Sequence, residues 1–438
     1  MNLTRRNLIA SVPIGAVLAA CGGGAANDVT TPEILEFAVD APPRVGERAR
    51  LRVRFRGGNG RVEPSLGAVS SGSTIETAVI SASQRFKLIV SAPGQPDVTQ
   101  ELNVEAGWRY RLRNFDTSPM AGHATVATSD GAALVIGGSR SEGTLSTAIE
   151  RFDPNTLRLV RLGDMAAGRS EMSAIAIGDS RVLVFGGSDS TAQPPFAEII
   201  DSRSGVATFG GWLRLSRNRH AALRLSEDRV LVVGGIQRNS AELWNPATST
   251  WTLVGNRMAH TREHATASLL PNGSVLIVGG YTPAATYVFA EVFNPATATF
   301  TAVPGAPDER RWLHGALLQA DGSVLIVGGE NDNGAVSSVW KFDFTTQRFI
   351  AQTPLSSPRS VVRAVITPDD EVLMYGGEQL PDEGLTSGEA LKANVHRELP
   401  PMSTPRAWHT MTRLTNGQIL LLGGQHQSDL IAGGTLYD

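Results

Sequence analysis

At 438 residues the chain is longer than one small domain needs and implies two or three units. Hydrophobic residues make up 41% and charged residues 18%, while 46 glycines and 24 prolines point to an all-β protein with many tight turns. A formal charge of −3 excludes a general affinity for nucleic acid or for anionic membrane surfaces.

Residues 1–20 read as an export signal and stand outside fold reasoning. Arg5 and Arg6 supply a positive start. Leu8–Ala20 is apolar but too short, with Pro13 and Gly15 inside it, to cross a bilayer as a stable helix. Leu18-Ala19-Ala20-Cys21 resembles a bacterial lipobox, which implies that the Cys21 thiol is acylated and the chain cut before it. Thr4-Arg5-Arg6-Asn7-Leu8-Ile9 is similar to a twin-arginine signal, so twin-arginine and general export both stay open. Cys21 is the only cysteine and forms no intrachain disulfide. Residues 21–32 contain Gly22-Gly23-Gly24-Ala25-Ala26-Asn27, a flexible tether. Glycine rather than aspartate after the cysteine implies, by the same resemblance, sorting to the outer membrane or cell surface. The membrane would then be met through lipid only.

Residues 33–107 alternate polar and apolar over Ala49–Phe55 and Phe86–Val90, with turns at Gly57–Gly60 and Pro93–Pro96. They predict a small β-sandwich. Gly46-Glu47, Leu51-Arg52-Val53, Gly67, Phe86–Val90 and Leu102-Asn103-Val104 are similar to bacterial immunoglobulin-like modules, which implies a spacer or adhesive role.

From residue 108 to 438 a glycine pair recurs at Gly137-Gly138, Gly186-Gly187, Gly234-Gly235, Gly279-Gly280, Gly328-Gly329, Gly376-Gly377 and Gly423-Gly424. The period is near 48 residues. Each pair follows four apolar residues, such as Val230–Val233, that read as a strand buried on both faces. Asp130-Gly131, Asn272-Gly273, Asp321-Gly322 and Asn416-Gly417 supply hairpin turns before those runs. A third strand ends at Asp153-Pro154, Asn245-Pro246 or Asn294-Pro295, and a fourth carries Trp251, Phe300 or Phe349. Four strands per unit, a double glycine and a later aromatic resemble kelch blades. The fold expected is therefore all-β: a seven-bladed kelch-type β-propeller preceded by the β-sandwich. The last unit stops at Asp438 without a fourth strand, so Trp108–Leu112 is expected to complete that sheet and close the ring. Blade six, over Leu380–Leu399, lacks the proline turn and the aromatic, which leaves its outer strands open.

The most regular polar feature is Arg169, Arg217, Arg262, Arg311, Arg359 and Arg406, each 17 residues before a first glycine, with Met120 at the equivalent place in the first unit. In a ring these guanidiniums form a collar suited to carboxylate or phosphate. Two roles stay open for them: hydrogen bonds to backbone carbonyls, or direct ligand contact. His123, His220, His314 and His409 lie 14 residues before a first glycine and are expected to be structural, since most are too far apart for one metal ion. Glu150, Glu198, Glu242 and Glu291 share a later phase and read as structural partners. Glu330, Asn331, Asp332, Asn333, Tyr281 and Glu378 follow glycine pairs, where a propeller carries specificity. No catalytic residue, metal site or cofactor motif stands out.

These features describe an exported, lipid-anchored binding protein whose propeller mouth takes a protein or carbohydrate partner. The alternative is an enzyme acting on an anionic sugar, as in the kelch-built N-acetylneuraminate epimerase. Galactose oxidase also resembles kelch blades, but its copper chemistry needs a cysteine linked to a tyrosine. With Cys21 the only cysteine, that chemistry is excluded.

Overall fold

The computed structural model describes residues 31–40, 43, 48–80, 84–104, 112–140, 144–178, 180–188, 195–284, 287–368 and 370–437. Cys21, the expected export signal and most of the expected tether lie outside the described residues. The chain divides into two compact units, Met1–Arg109 and Tyr110–Asp438.

The first unit consists of two antiparallel sheets. Glu33–Val39, Arg48–Arg56 and Ser73–Val79 form one; Gly67–Val69, Asn59–Glu63, Gln84–Ser91 and Val98–Val104 form the other. Strict alternation over Arg48–Arg56 leaves its five arginines outside and buries Ala49, Leu51, Val53 and Phe55. Those four meet Phe37, Val62, Phe86, Leu88 and Val90 from neighbouring strands in one core. Alternation of period two puts every second side chain on one face, and burying that face is what holds the sheets.

Among the described residues, the second unit contains seven four-stranded antiparallel sheets. The third is typical, with Ala221–Arg224, Val230–Val233, Ala241–Asn245 and Thr250–Leu253 in order. All four residues of Val230–Val233 are fully buried. They must be, because each sheet packs a neighbour on both faces. Val230 and Val232 join Phe185 and Trp251 in the core shared with the second sheet, while Leu231 and Val233 join Val275 and Ile277 in the core shared with the fourth. The pattern continues through every successive pair. It ends with Met120, Ala133 and Val135 of the first sheet packed against Leu420, Leu422 and Leu436 of the seventh. This is a propeller-like all-β fold.

Leu112–Phe115 pairs with Gly434–Tyr437 as the fourth strand of the seventh sheet. The two ends of the second unit therefore share one sheet; of the expected Trp108–Leu112 segment only Leu112 is in this described strand, and Trp108–Arg111 lie outside the described residues. The outer strands of the sixth sheet, open in the sequence, are Gly388–Lys392 and Val395–Leu399. Ala393 and Asn394 make the turn at φ 46° and 64° in place of the missing proline turn.

The glycine pair explains how neighbouring sheets approach. The second glycine of each pair donates its N–H to the carbonyl of the residue that enters the next sheet: Gly235 to Arg262 at 2.9 Å, Gly280 to Arg311 at 2.8 Å and, closing the circle, Gly424 to Met120 at 2.7 Å. At Gly234 the backbone is left-handed (φ 68°), and a Cβ would lie 2.5 Å from the Arg262 carbonyl oxygen. Only glycine meets both demands.

Candidate functional site

The six phased arginines are almost fully buried, at 0–3% exposure. Each guanidinium clamps its own sheet. Arg217 donates through Nη1 to the carbonyls of Gly234 (2.8 Å) and Ser240 (2.9 Å) and pairs with Glu242. Arg311 does the same to Gly328 and Ser338, and Arg406 to Gly423 and Gly433. Arg169 and Arg262 pair with Glu198 and Glu291 at 3.0 and 2.8 Å, and Arg359 bonds the Gly376 and Ser387 carbonyls. Direct ligand contact by Arg169, Arg217, Arg262, Arg311, Arg359 and Arg406 is thus corrected: each guanidinium is buried and bonds two carbonyls inside its own sheet. Of the phased acids, Glu198, Glu242 and Glu291 are their partners. Glu150 instead pairs with Arg140, because the first sheet has Met120 in the clamp position.

The four histidines pack between sheets. His220, His314, His409 and His123 each place Cε1 where a Cβ on the first glycine of the preceding sheet would be, at 2.4, 2.6, 2.8 and 2.9 Å. His123 Nε2 meets Thr410 Oγ1 at 2.9 Å, and His314 Nε2 meets Thr266 Oγ1 at 2.8 Å. Burial, with lesser help from nearby arginines, pulls His123 and His314 down to about 3. The folded protein keeps them neutral, whereas the unfolded chain protonates near 6.5 and so binds more protons as the pH falls. Stability should therefore drop between pH 7 and pH 5, by about 2 kcal/mol per buried histidine at pH 5. Urea midpoints across that range test this. His314→Gln should flatten the slope, and a flat wild-type profile would contradict it.

A cavity of about 260 Å³ lies where the seven sheets meet, since every sheet contributes to its wall. Its mouth is set by one backbone feature. Glu171, Arg219, His264, Leu313, Val361 and Trp408, each 15 residues before a first glycine, all have φ between 51° and 56°, and Gly122 completes the set at 63°. Six non-glycine residues in the left-handed region each cost on the order of 1 kcal/mol. The sharp bend brings five of those side chains, with Arg363, to the cavity wall: Glu171, Arg219, His264, Leu313 and Trp408. Glu171 and Arg219 pair at 3.5 Å, and Arg219 reaches Glu263 at 3.8 Å. Burial, then the charges of Arg219 and Arg363, brings His264 to about 3, so it is neutral at physiological pH. Its ring meets Trp408 edge to face at 5.8 Å.

Around this mouth run the residues two places after each first glycine. Tyr281 bridges Glu263, Glu330 bridges Trp312 and Glu378 bridges Ser360 through the backbone. The Trp312 indole N–H donates to Glu330 (2.5 Å) and that of Trp408 to Glu378 (2.9 Å). Tyr281, 40% exposed, stands edge to face on Trp312 at 5.3 Å. Burial raises the Glu378 carboxyl above the usual range; the Trp408 indole opposes this, and the charges of Asp382 and Glu330 add to it. Asn331, Asp332 and Asn333 instead line a separate depression with Tyr287, Asp308 and Arg310. Glu378 thus touches the cavity wall through Trp408, while Tyr281 and Glu330 stand outside the wall and bridge Glu263 and Trp312, the chain neighbours of the wall residues His264 and Leu313. The sequence reading missed Glu171, Arg219, His264, Arg363 and Trp408. The signal was present: these are places where the repeat carries a different residue in almost every unit.

No family profile matches the chain. It is 26% identical over 208 residues to the tRNA wybutosine-synthesizing protein 4 of Candida albicans, a match covering 43% of this chain and 30% of that protein. The chain thus spans under a third of that relative's length. Among solved structures it is similar to a fungal alcohol oxidase of the AA5 family in complex with copper, with TM-score 0.62 and 17% identity over 75% of this chain and 76% of that one. At that identity the likeness is one of fold, and it places this protein among all-β, propeller-like structures with an AA5 neighbour. The residues here do not fit a copper ion of that kind. Among the described residues no three histidine, cysteine, aspartate or glutamate side chains could share an ion. The channel histidines His123 and His314 turn a ring nitrogen to a threonine hydroxyl, and two cations, Arg219 and Arg363, line the same wall.

Proposed function

We propose that the chain is an exported kelch-type propeller of seven blades, carried behind an immunoglobulin-like module and a lipidated Cys21, whose axial mouth binds carbohydrate. The observation that carries the function is the rim: Tyr281 and Trp312 stand edge to face beside the cavity, with two indole N–H groups held by the carboxylates of Glu330 and Glu378. An aromatic face packs against the C–H surface of a sugar ring, and carboxylate oxygens accept its hydroxyls. A protein partner would use the same rim without needing a cavity behind it.

A second reading, an enzyme acting on the bound sugar, is favoured by one feature. Glu378 is a carboxyl held above its usual range near a second carboxylate, Glu330, an arrangement that suits a proton donor facing an acceptor. The oxidase with which the fold is shared supports an enzyme in general terms but not its copper chemistry.

Titration calorimetry against a glycan panel tests the binding reading. Tyr281→Ala and Trp312→Ala should each weaken binding about tenfold or more, since a lost ring contact of about 1.4 kcal/mol is one decade. Unchanged affinity in both variants would remove the rim from the site. Intact mass of the mature amino terminus tests the anchor: Cys21 should begin the chain and carry acyl groups, and an unmodified Cys21 refutes it.

A further inference from the structure

We infer that Arg363 makes the inner end of the axial cavity an oxyanion subsite, so that the sugar taken at the rim bears a carboxylate. The inference rests on the carbohydrate reading for the sugar but not for the anion.

Arg363 lies 13 residues before its first glycine, on the strand Arg363–Ile366. The other six sheets have Ala124, Ser173, Ala221, Thr266, Gly315 and Thr410 at that place. Arg363 is therefore the one long side chain in a set of small ones, and the small ones leave the space it faces. Its neighbours leave half of its fork unused. Nε donates to the His409 carbonyl at 2.9 Å, and Nη1 only approaches the Val362 carbonyl at 3.5 Å. Nη2 has no acceptor among the described residues, and no described carboxylate lies within ion-pair distance of this guanidinium. The contrast with the six clamping arginines is direct, since five of them pair with or approach a carboxylate and all bond two carbonyls.

Charge around the cavity points the same way. Glu171, the carboxylate that acts on Arg363 through space, is already paired with Arg219 at 3.5 Å. The histidines of the wall are held neutral by burial and add no charge of their own. An arginine stays protonated, and a half-buried one with free donors is stabilised by an anion that accepts from them. A carboxylate presents two oxygens at the spacing of a guanidinium fork. A cavity of about 260 Å³ admits one such group with part of a sugar ring, not a long chain.

The test is calorimetry on the full chain with three probes: a neutral hexose, the corresponding uronic acid and inorganic sulfate. The wild type should bind the uronate at least tenfold tighter than the hexose. Arg363→Gln should erase that preference while keeping hexose binding, and Arg363→Lys should keep part of it. Trp312→Ala should weaken both sugars alike. A wild type that does not discriminate, or a preference that persists in Arg363→Gln, overturns the subsite. Binding of sulfate alone, lost in Arg363→Gln, supports the subsite and removes the carbohydrate reading. No binding of any probe overturns it. Unchanged thermal unfolding of Arg363→Gln separates lost recognition from lost fold, and Arg363→Lys decides the question if that variant unfolds.

Discussion

Replacing Arg262 by methionine should lower unfolding stability by about 3–5 kcal/mol, the cost of breaking a buried ion pair from one side. Arg262 is 1% exposed, pairs with Glu291 at 2.8 Å and bonds the carbonyls of Gly279 and Val288. Without it, Glu291 is a carboxylate at 3% exposure whose nearest remaining donor is the Ala259 N–H at 3.0 Å. The carbonyls of Gly279, just after the sheet's second strand, and of Val288, just before its third, lose a donor as well. Adding Glu291→Leu should recover part of the loss, because an apolar pair is tolerated where a lone buried charge is not. Urea midpoints of the two variants check this. A single variant within about 1 kcal/mol of the wild type would show that the arginines do not hold the sheets.

Breaking the closing strand should be at least as costly. Substituting Leu112–Phe115 by a glycine-serine sequence in the full chain removes the partner of Gly434–Tyr437 and takes Phe115 off Phe152, where their rings lie 4.8 Å apart. Leu436 and Tyr437, at 0% and 1% exposure, would then sit on an open edge strand. Tm should fall by roughly 10 °C or more. The ring gives a second readout, because an unpaired edge should promote concentration-dependent association. A substituted protein with wild-type Tm and no association would mean that the ring closes by other contacts.

Much of the fold was legible because it repeats. One glycine pair with an apolar run proves little, but seven in phase reveal a repeated sheet. The first-unit strand Arg48–Arg56 was legible for a different reason, its alternation. What failed was local. The sixth sheet's outer hairpin was hidden because its turn is Ala393-Asn394, in which alanine takes a left-handed φ against its ordinary preference although asparagine suits that region. That the closing strand runs on through Phe115 was not legible, because only pairing to Gly434–Tyr437 shows it.

The site was less legible than the fold. Phase correctly grouped the six arginines, yet it was silent on whether their side chains face the axis or the sheet. The carbonyls of Gly234 and Ser240 decide that for Arg217, and these lie 17 and 23 residues away in sequence. Regularity drew attention to the residues that build the repeat. The cavity wall takes its character where the repeat is irregular, at Trp408, Glu171 and Arg363, each different from its counterparts in other units.

By itself, then, the sequence determined the all-β character, the repeated four-strand unit and the need for glycine where sheets meet. Those follow from local chemistry: β-branched runs, turn residues and positive φ. Only the tertiary structure decided that six arginines are clamps and that Arg363 faces a cavity. A side chain's role depends on which carbonyls and charges surround it, and these come from strands that meet only when the ring has closed.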